Sequence, residues 1–369
     1  MNLKTFISAL CALLLTQSVS AQWQSTTYTL KGGWNSIYLH GDATHDTLEN
    51  LFPNSGQTAN IQEVWRWNPN ASQVQFTSSP LIPASGTPEW SVWVRGGSSN
   101  TLASMSGQTA YLVKCVGTSS NTYSVNINQA ILPPRATWVR NGANLLGFPT
   151  FKNGSNFPVF SSYFATFPAA IAVNTKIFKY VGGDLGPSNP MQVFATNTER
   201  VDRTQAYWFS SEVVGTFYAP MEVSLSSNDG LAFGRSGSVI TARVRNRTAA
   251  PVTLTLAPVD SGAAPSNQTG ITAPVPLTRR TFNTGTLTWD STPITAAYTE
   301  VIGPQSTVEL SFGINRGHAS MTGAASNALF ASFLRLTDSS NLMDVYLPAS
   351  AQKDTLAGLW VGDVTITNV

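Results

Sequence analysis

Apolar and polar positions alternate with a period of two along most of the chain. Thr26-Thr27-Tyr28-Thr29-Leu30, Ser124-Val125-Asn126-Ile127-Asn128 and Thr241-Ala242-Arg243-Val244-Arg245 each put every second side chain on one face, the pattern of half-buried strands. Between such runs lie clusters with turn chemistry, such as Gly182-Gly183-Asp184 and Gly186-Pro187-Ser188-Asn189-Pro190. Helical periodicity is confined to residues 46–52, stopped by Pro53, and residues 157–164. The pattern predicts an all-β protein. Past residue 220 it predicts strands at 238–246, 251–256, 306–312, 331–337, 343–347 and 359–367, with 260–281 as a long exposed loop.

The same landmarks occur twice, in the same order. Gly33-Trp34-Asn35-Ser36-Ile37-Tyr38-Leu39 is answered by Gly142-Ala143-Asn144-Leu145-Leu146-Gly147-Phe148, and Val64-Trp65-Arg66-Trp67 by Ile177-Phe178-Lys179-Tyr180. Trp90-Ser91-Val92-Trp93 has an echo in Met191-Gln192-Val193-Phe194, and Ala110-Tyr111-Leu112-Val113 in Ala206-Tyr207-Trp208-Phe209. Loops of varying length between fixed strands account for the drift in spacing. Gly33 and Gly142 suit a positive φ or a close backbone approach, and Asn35 and Asn144 suit side-chain bonds to turn backbone. Trp65 and Trp67, two apart on a strand, share a face. The matched aromatics are expected to fill two equivalent interiors.

The expected organisation is therefore a first module at 22–132, a second at 133–219 and an Ig-like β-sandwich at 220–369. The motifs Gly33-Trp34-Asn35, Trp65-Arg66-Trp67 and Gly107-Gln108-Thr109-Ala110-Tyr111-Leu112 resemble the tandem "GWN…GYW" β modules of secreted bacterial surface proteins. The resemblance covers about residues 30–214. The second copy departs from it, with Ala143 in place of tryptophan and 203–205 in place of the glycine turn. The resemblance implies an extracellular setting, modular construction and attachment to adhesion or surface domains. It also implies that the polypeptide continues past Val369.

The N-terminus adds a compartment. Lys4, an apolar stretch at 6–15 and Val19-Ser20-Ala21 have the layout of a secretory signal peptide, 1–21, too short to span a bilayer. Its removal takes away Cys11 and leaves Cys115 alone, so no internal disulfide is available; the apolar strand around Cys115 predicts a buried thiol. Charged residues make up only 11% of the chain and form no basic stripe, which argues against nucleic acid as a partner. No later apolar run is long enough for a transmembrane segment.

Candidate chemistry is sparse. His40, Asp42, His45 and Asp46 form the one concentrated set of titratable groups, and could ligate zinc or serve acid–base chemistry. The competing reading is a polar loop with Asp46 capping the short helix. Asp338 to Asp344 offers oxygen ligands for calcium, or a hairpin turn. Trp65, Trp67, Trp90 and Trp93 could stack on sugars, but their replacement by Phe178, Tyr180, Met191 and Phe194 in the second copy favours a core role. These observations point to a non-catalytic extracellular or cell-surface structural or interaction protein, with surface polysaccharide or other envelope proteins as partners. The alternatives are a carbohydrate-binding protein using exposed tryptophans and a metal-dependent hydrolase.

Overall fold

Residues 22–68, 86, 88–140 and 143–353 are described by a computed structural model. The signal segment, Gly142 and the strand expected at 359–367 lie outside them. The chain is all-β, as the alternation predicts, with helices of a single turn.

The first part contains β1 (Trp23–Lys31), β2 (Gly33–Leu39), β3 (Gly41–Asp42), β4 (Ile61–Trp67), β5 (Trp90–Val94), β6 (Thr109–Cys115) and β7 (Thr122–Ile131). They form a three-stranded sheet, β1-β7-β3, and a four-stranded sheet, β2-β6-β4-β5. Tyr28 and Leu30, Ile37 and Leu39, Tyr111 and Val113, and Val125 and Ile127 alternate inward to make one buried core with Trp93.

The second part contributes β8 (Ala143–Leu146), β9 (Lys176–Lys179), β10 (Met191–Gln192) and β11 (Tyr207–Ser210), in the order β8-β11-β9-β10. With strands matched in chain order, this is the strand order of the first four-stranded sheet. The registers match too. Asn35 lies opposite Val113 and Trp65 opposite Leu112; Asn144 lies opposite Phe209 and Phe178 opposite Trp208.

Local bonds repeat with them. The Asn35 side chain accepts from the Lys31 amide (2.8 Å) and donates to the Lys31 carbonyl (2.7 Å). Asn144 does the same with Val139, at 2.8 and 3.0 Å. The Tyr111 hydroxyl accepts from the Ser106 amide and the Tyr207 hydroxyl from the Asp202 amide, both at 2.7 Å. One proposed match shifts by a residue. Trp65 opposes Val92 while Phe178 opposes Gln192, so Trp93 corresponds to Val193 and not to Phe194. Val193 is buried; Phe194 is 82% exposed, so it carries no argument for a core.

The third part contains β12 (Met221–Leu225), β13 (Leu231–Gly234), β14 (Val239–Asn246), β15 (Val252–Asp260), β16 (Leu277–Asn283), β17 (Thr288–Pro293), β18 (Tyr298–Ile302), β19 (Thr307–Ile314), β20 (Leu329–Asp338) and β21 (Asp344–Gln352). Among the described residues they form two five-stranded sheets, β12-β14-β19-β16-β17 and β13-β21-β20-β15-β18. β13 runs parallel to β21. The loop expected at 260–281 is shorter than its Ser/Pro/Gly content suggests, because β16 begins at Leu277 and Ala273 bridges to Phe330. Leu254, Leu336 and Val345 of one sheet and Val244, Leu310 and Phe312 of the other share a buried cluster that continues into Phe164, Tyr207 and Phe217 of the second part.

The three parts meet at Arg203. Its carbonyl accepts from His40 at 2.9 Å. Its guanidinium donates to the Asp344 carbonyl and lies 5.6 Å from the Tyr346 ring centre.

Candidate functional site

The tryptophans named by the sequence fall on two different faces. β4 puts Trp65 and Trp67 on one side, and β5 adds Trp90 and Val92 to that side while turning Trp93 to the other. Trp65, Trp67 and Trp90 meet Trp34, Leu112, Phe178, Tyr180 and Trp208 in one cluster, so the two four-stranded sheets pack face to face through their aromatic sides. The ring centres of Trp67 and Trp208 are 5.5 Å apart and those of Trp67 and Trp90 5.2 Å, both edge-to-face. Such pairs add about 0.5–1.5 kcal/mol each beyond burial.

The matched pairs Trp65 with Phe178 and Trp67 with Tyr180 therefore fill one shared seam, while the matched Tyr111 and Tyr207 fill separate cores on the far sides of their sheets. Trp65, Trp67 and Trp90 are 6–8% exposed and Trp93 1%, which leaves no ring face for a sugar. Polar edges are satisfied within the protein for Trp65, which donates to Glu63 at 2.8 Å, and for Trp93, which donates to Glu49 at 2.6 Å. Trp65, Trp67 and Trp90 join the two four-stranded sheets and Trp93 packs into the first core, so the four do not form a stacking platform.

Backbone contacts close one end of the seam. The Trp34 amide donates to the Gly183 carbonyl (2.8 Å), and the Gly183 amide to the Gly32 carbonyl (2.7 Å). Gly33 has φ +84°, and a Cβ there would lie 2.3 Å from the Gly183 carbonyl oxygen. The glycine thus serves both purposes that the sequence suggested, positive φ and close approach.

The His and Asp residues each make their own contacts. His40 is buried and bonds Arg203; Asp42 accepts from the amides of Thr44 (3.2 Å) and Gly107 (3.1 Å). His45 sits edge-on to Trp23 with ring centres 4.8 Å apart. Asp46 accepts from Asn50 Nδ2 at 2.7 Å, while the cap of the helix α1 (Leu48–Leu51) is Thr47, one residue later than expected. Among the described residues no three His, Cys, Asp or Glu side chains converge as a metal-binding group, so His40, Asp42, His45 and Asp46 are not assembled as a zinc site. Asp338 accepts from the amides of Ser340, Leu342 and Met343, and Asp344 pairs with Arg335, which makes the calcium candidate a turn.

Burial, reinforced by the Arg203 charge, lowers the His40 pKa to about 3. The folded ring is neutral above that, whereas the unfolded chain takes up a proton below about pH 6.5. Between these values the unfolded state binds more protons, so stability rises with pH at about 1.4 kcal/mol per unit and levels off above about 6.5. The margin of wild type over His40→Gln should shrink as pH falls from about 7 to about 4 in urea titrations. A margin constant with pH would contradict this. The Cys115 thiol is buried and pushed up to about 12 by burial. It should resist an aromatic disulfide reagent in the native state and react fully in denaturant.

A different aromatic group lies in the open. Phe282 on β16 and Trp289 on β17 are directly opposite and share a face, with ring centres 5.4 Å apart. They are 48% and 52% exposed, and Trp289 is the exposed tryptophan among the described residues, the others being buried. Arg280, two residues before Phe282, shares that face, its guanidinium 5.0 Å from the Trp289 ring centre. The registers align Thr241, Ser311, Arg280 and Ser291 across four strands. At the mouth of the sandwich Arg279 pairs with Glu300 and covers the Tyr298 ring at 4.9 Å. Thr241, Ser311, Arg280, Phe282 and Trp289, with Arg279, Tyr298 and Glu300, line a groove of about 710 Å³.

The sequence carried a signal for this hairpin. Asn283-Thr284-Gly285 separates two alternating stretches, and Asn283 Oδ1 accepts from the amides of Gly285 (3.0 Å) and Thr286 (3.2 Å). Reading 260–281 as loop obscured its first strand. No helix among the described residues is long and apolar enough to cross a membrane. No protein-family model matches the chain, and a search of curated proteins finds no match.

Proposed function

We propose that this chain is an exported, non-catalytic interaction protein of the cell surface, in which the tryptophan seam makes a rigid scaffold and the sandwich face presents the contact surface. The observation that carries the reading is the half-exposed Trp289–Phe282–Arg280 group. Aromatic and arginine side chains are those that dominate binding energy at protein surfaces, and a contiguous exposed apolar patch marks an interaction site. The signal-like layout of residues 1–21 and the resemblance to tandem surface modules support the location. The matching strand orders support the view that the two four-stranded sheets are copies of one unit.

Carbohydrate binding is the second reading. It moves from Trp65, Trp67, Trp90 and Trp93 to Trp289, whose ring stands in a groove bordered by hydroxyl groups. Capture of envelope polysaccharides and envelope proteins by wild type and by Trp289→Ala tests both. The variant should keep the wild-type melting curve and lose binding at least tenfold, the scale of a hot-spot residue at about 1.4 kcal/mol per decade. Equal capture by both proteins would contradict the assignment of this face.

A further inference from the structure

We infer that the groove beside Trp289 takes an anionic polysaccharide, with sugar rings against Trp289 and Phe282 and a uronate carboxylate on Arg280. The inference rests on the proposed binding role of this face and names its ligand class. Charge is the first argument. Two arginines beside this groove have carboxylate partners among the groups lining it: Arg243 with Glu309 (2.8 Å) and Arg279 with Glu300. Arg280 has none among the described residues, and its guanidinium is held against an aromatic ring.

A guanidinium ordered in this way keeps its fork of N–H donors available and loses little freedom on pairing with a planar carboxylate. The adjacent ring supplies the second argument. A uronate carries its carboxylate at the edge of a ring whose C–H face is apolar, so one residue can engage Arg280 and an aromatic neighbour together. The third is the length of the polar row. Thr241, Ser311, Arg280 and Ser291 cross four strands spaced about 4.8 Å apart, a line of about 14 Å that offers hydroxyl groups on either side of the cation. This suits a chain of sugars better than a single one.

The test compares polygalacturonate and alginate with methyl-esterified polygalacturonate, which keeps the sugar backbone and removes the charge. Wild type should bind at least one acidic polymer, and the esterified one about tenfold more weakly. Trp289→Ala should lose binding to both forms, and Arg280→Gln should bind acidic and esterified forms alike. Raising the salt should weaken wild type and leave Arg280→Gln nearly unchanged. Both substitutions are on a partly exposed surface, and an unchanged far-ultraviolet circular dichroism spectrum and melting midpoint verify the fold.

Equal binding of acidic and esterified polymers by wild type would overturn the acidic assignment while leaving a carbohydrate site. Binding of neither polymer, with Trp289-dependent capture of an envelope protein, would overturn the polysaccharide inference and leave the interaction reading standing. Loss of any dependence on Trp289 would remove both.

Discussion

Trp208→Ala is expected to lower the unfolding free energy by about 3–5 kcal/mol, the cost of emptying a large buried aromatic site. The side chain is fully buried in the seam, 5.5 Å from Trp67 and 6.2 Å from Trp90 between ring centres, and Trp208 lies opposite Leu145 on one neighbouring strand and Phe178 on the other. Rings on both sheets lose their contact, and the strands, fixed by their ladders, cannot close the gap. Urea titration should show a lower midpoint at unchanged slope. A loss below about 0.5 kcal/mol, usual for surface substitutions, would mean that the seam does little to hold the sheets together.

Gly33→Ala should cost about 2–5 kcal/mol, combining the penalty of a left-handed backbone with that of forced overpacking. The added Cβ meets the carbonyl oxygen, carbonyl carbon and Cα of Gly183 at 2.3–2.5 Å. These are backbone atoms, so no rotamer change relieves the clash. The two parts must separate at this end of the seam, breaking the Trp34–Gly183 and Gly183–Gly32 bonds. Gly56→Ala provides the control. Gly56 also has positive φ, +55°, but an added Cβ meets nothing within 4 Å. Its cost should be that of the backbone alone, about 1–2 kcal/mol. Equal losses for both variants, read from denaturant midpoints, would remove the docking role of Gly33.

The strands and their local fastenings were readable because they depend on near neighbours. Period-two alternation placed β1, β7 and β14, and the bonds of Asn35 to Lys31 are set within a few residues. The spacing of Trp65 and Trp67 fixed their common face. Trp93 lies three positions after Trp90, so the same rule assigns them to opposite faces, which treating the four tryptophans as one set ignored.

Less accessible was what each aromatic face meets. Alternation says that a face is apolar, not which other sheet covers it, and contacts such as Trp67 with Trp208 join residues 141 positions apart. The echo assigned to Phe194 failed for a related reason, since a one-residue slip turns every side chain over and only the pairing with β9 fixes the register. The metal alternative for the His40 cluster needed convergence, which closeness in sequence does not supply. The chain turns these groups to different partners, Arg203 for His40 and Asn50 for Asp46. The Arg280–Trp289 group, nine positions apart in the chain, arises from a hairpin that pairs Phe282 with Trp289 and Arg280 with Ser291, within reach of the sequence once Asn283-Thr284-Gly285 is taken as its turn.

A double-mutant cycle between Trp67 and Trp208 tests the face-to-face packing of the two sheets most directly, because these side chains come from different sheets and meet only there. Unfolding free energies of wild type, both single alanine variants and the double variant should give a coupling of at least about 0.5–1.5 kcal/mol. Losses that simply add, to within about 0.3–0.5 kcal/mol, would place the two rings in independent surroundings and contradict the shared seam.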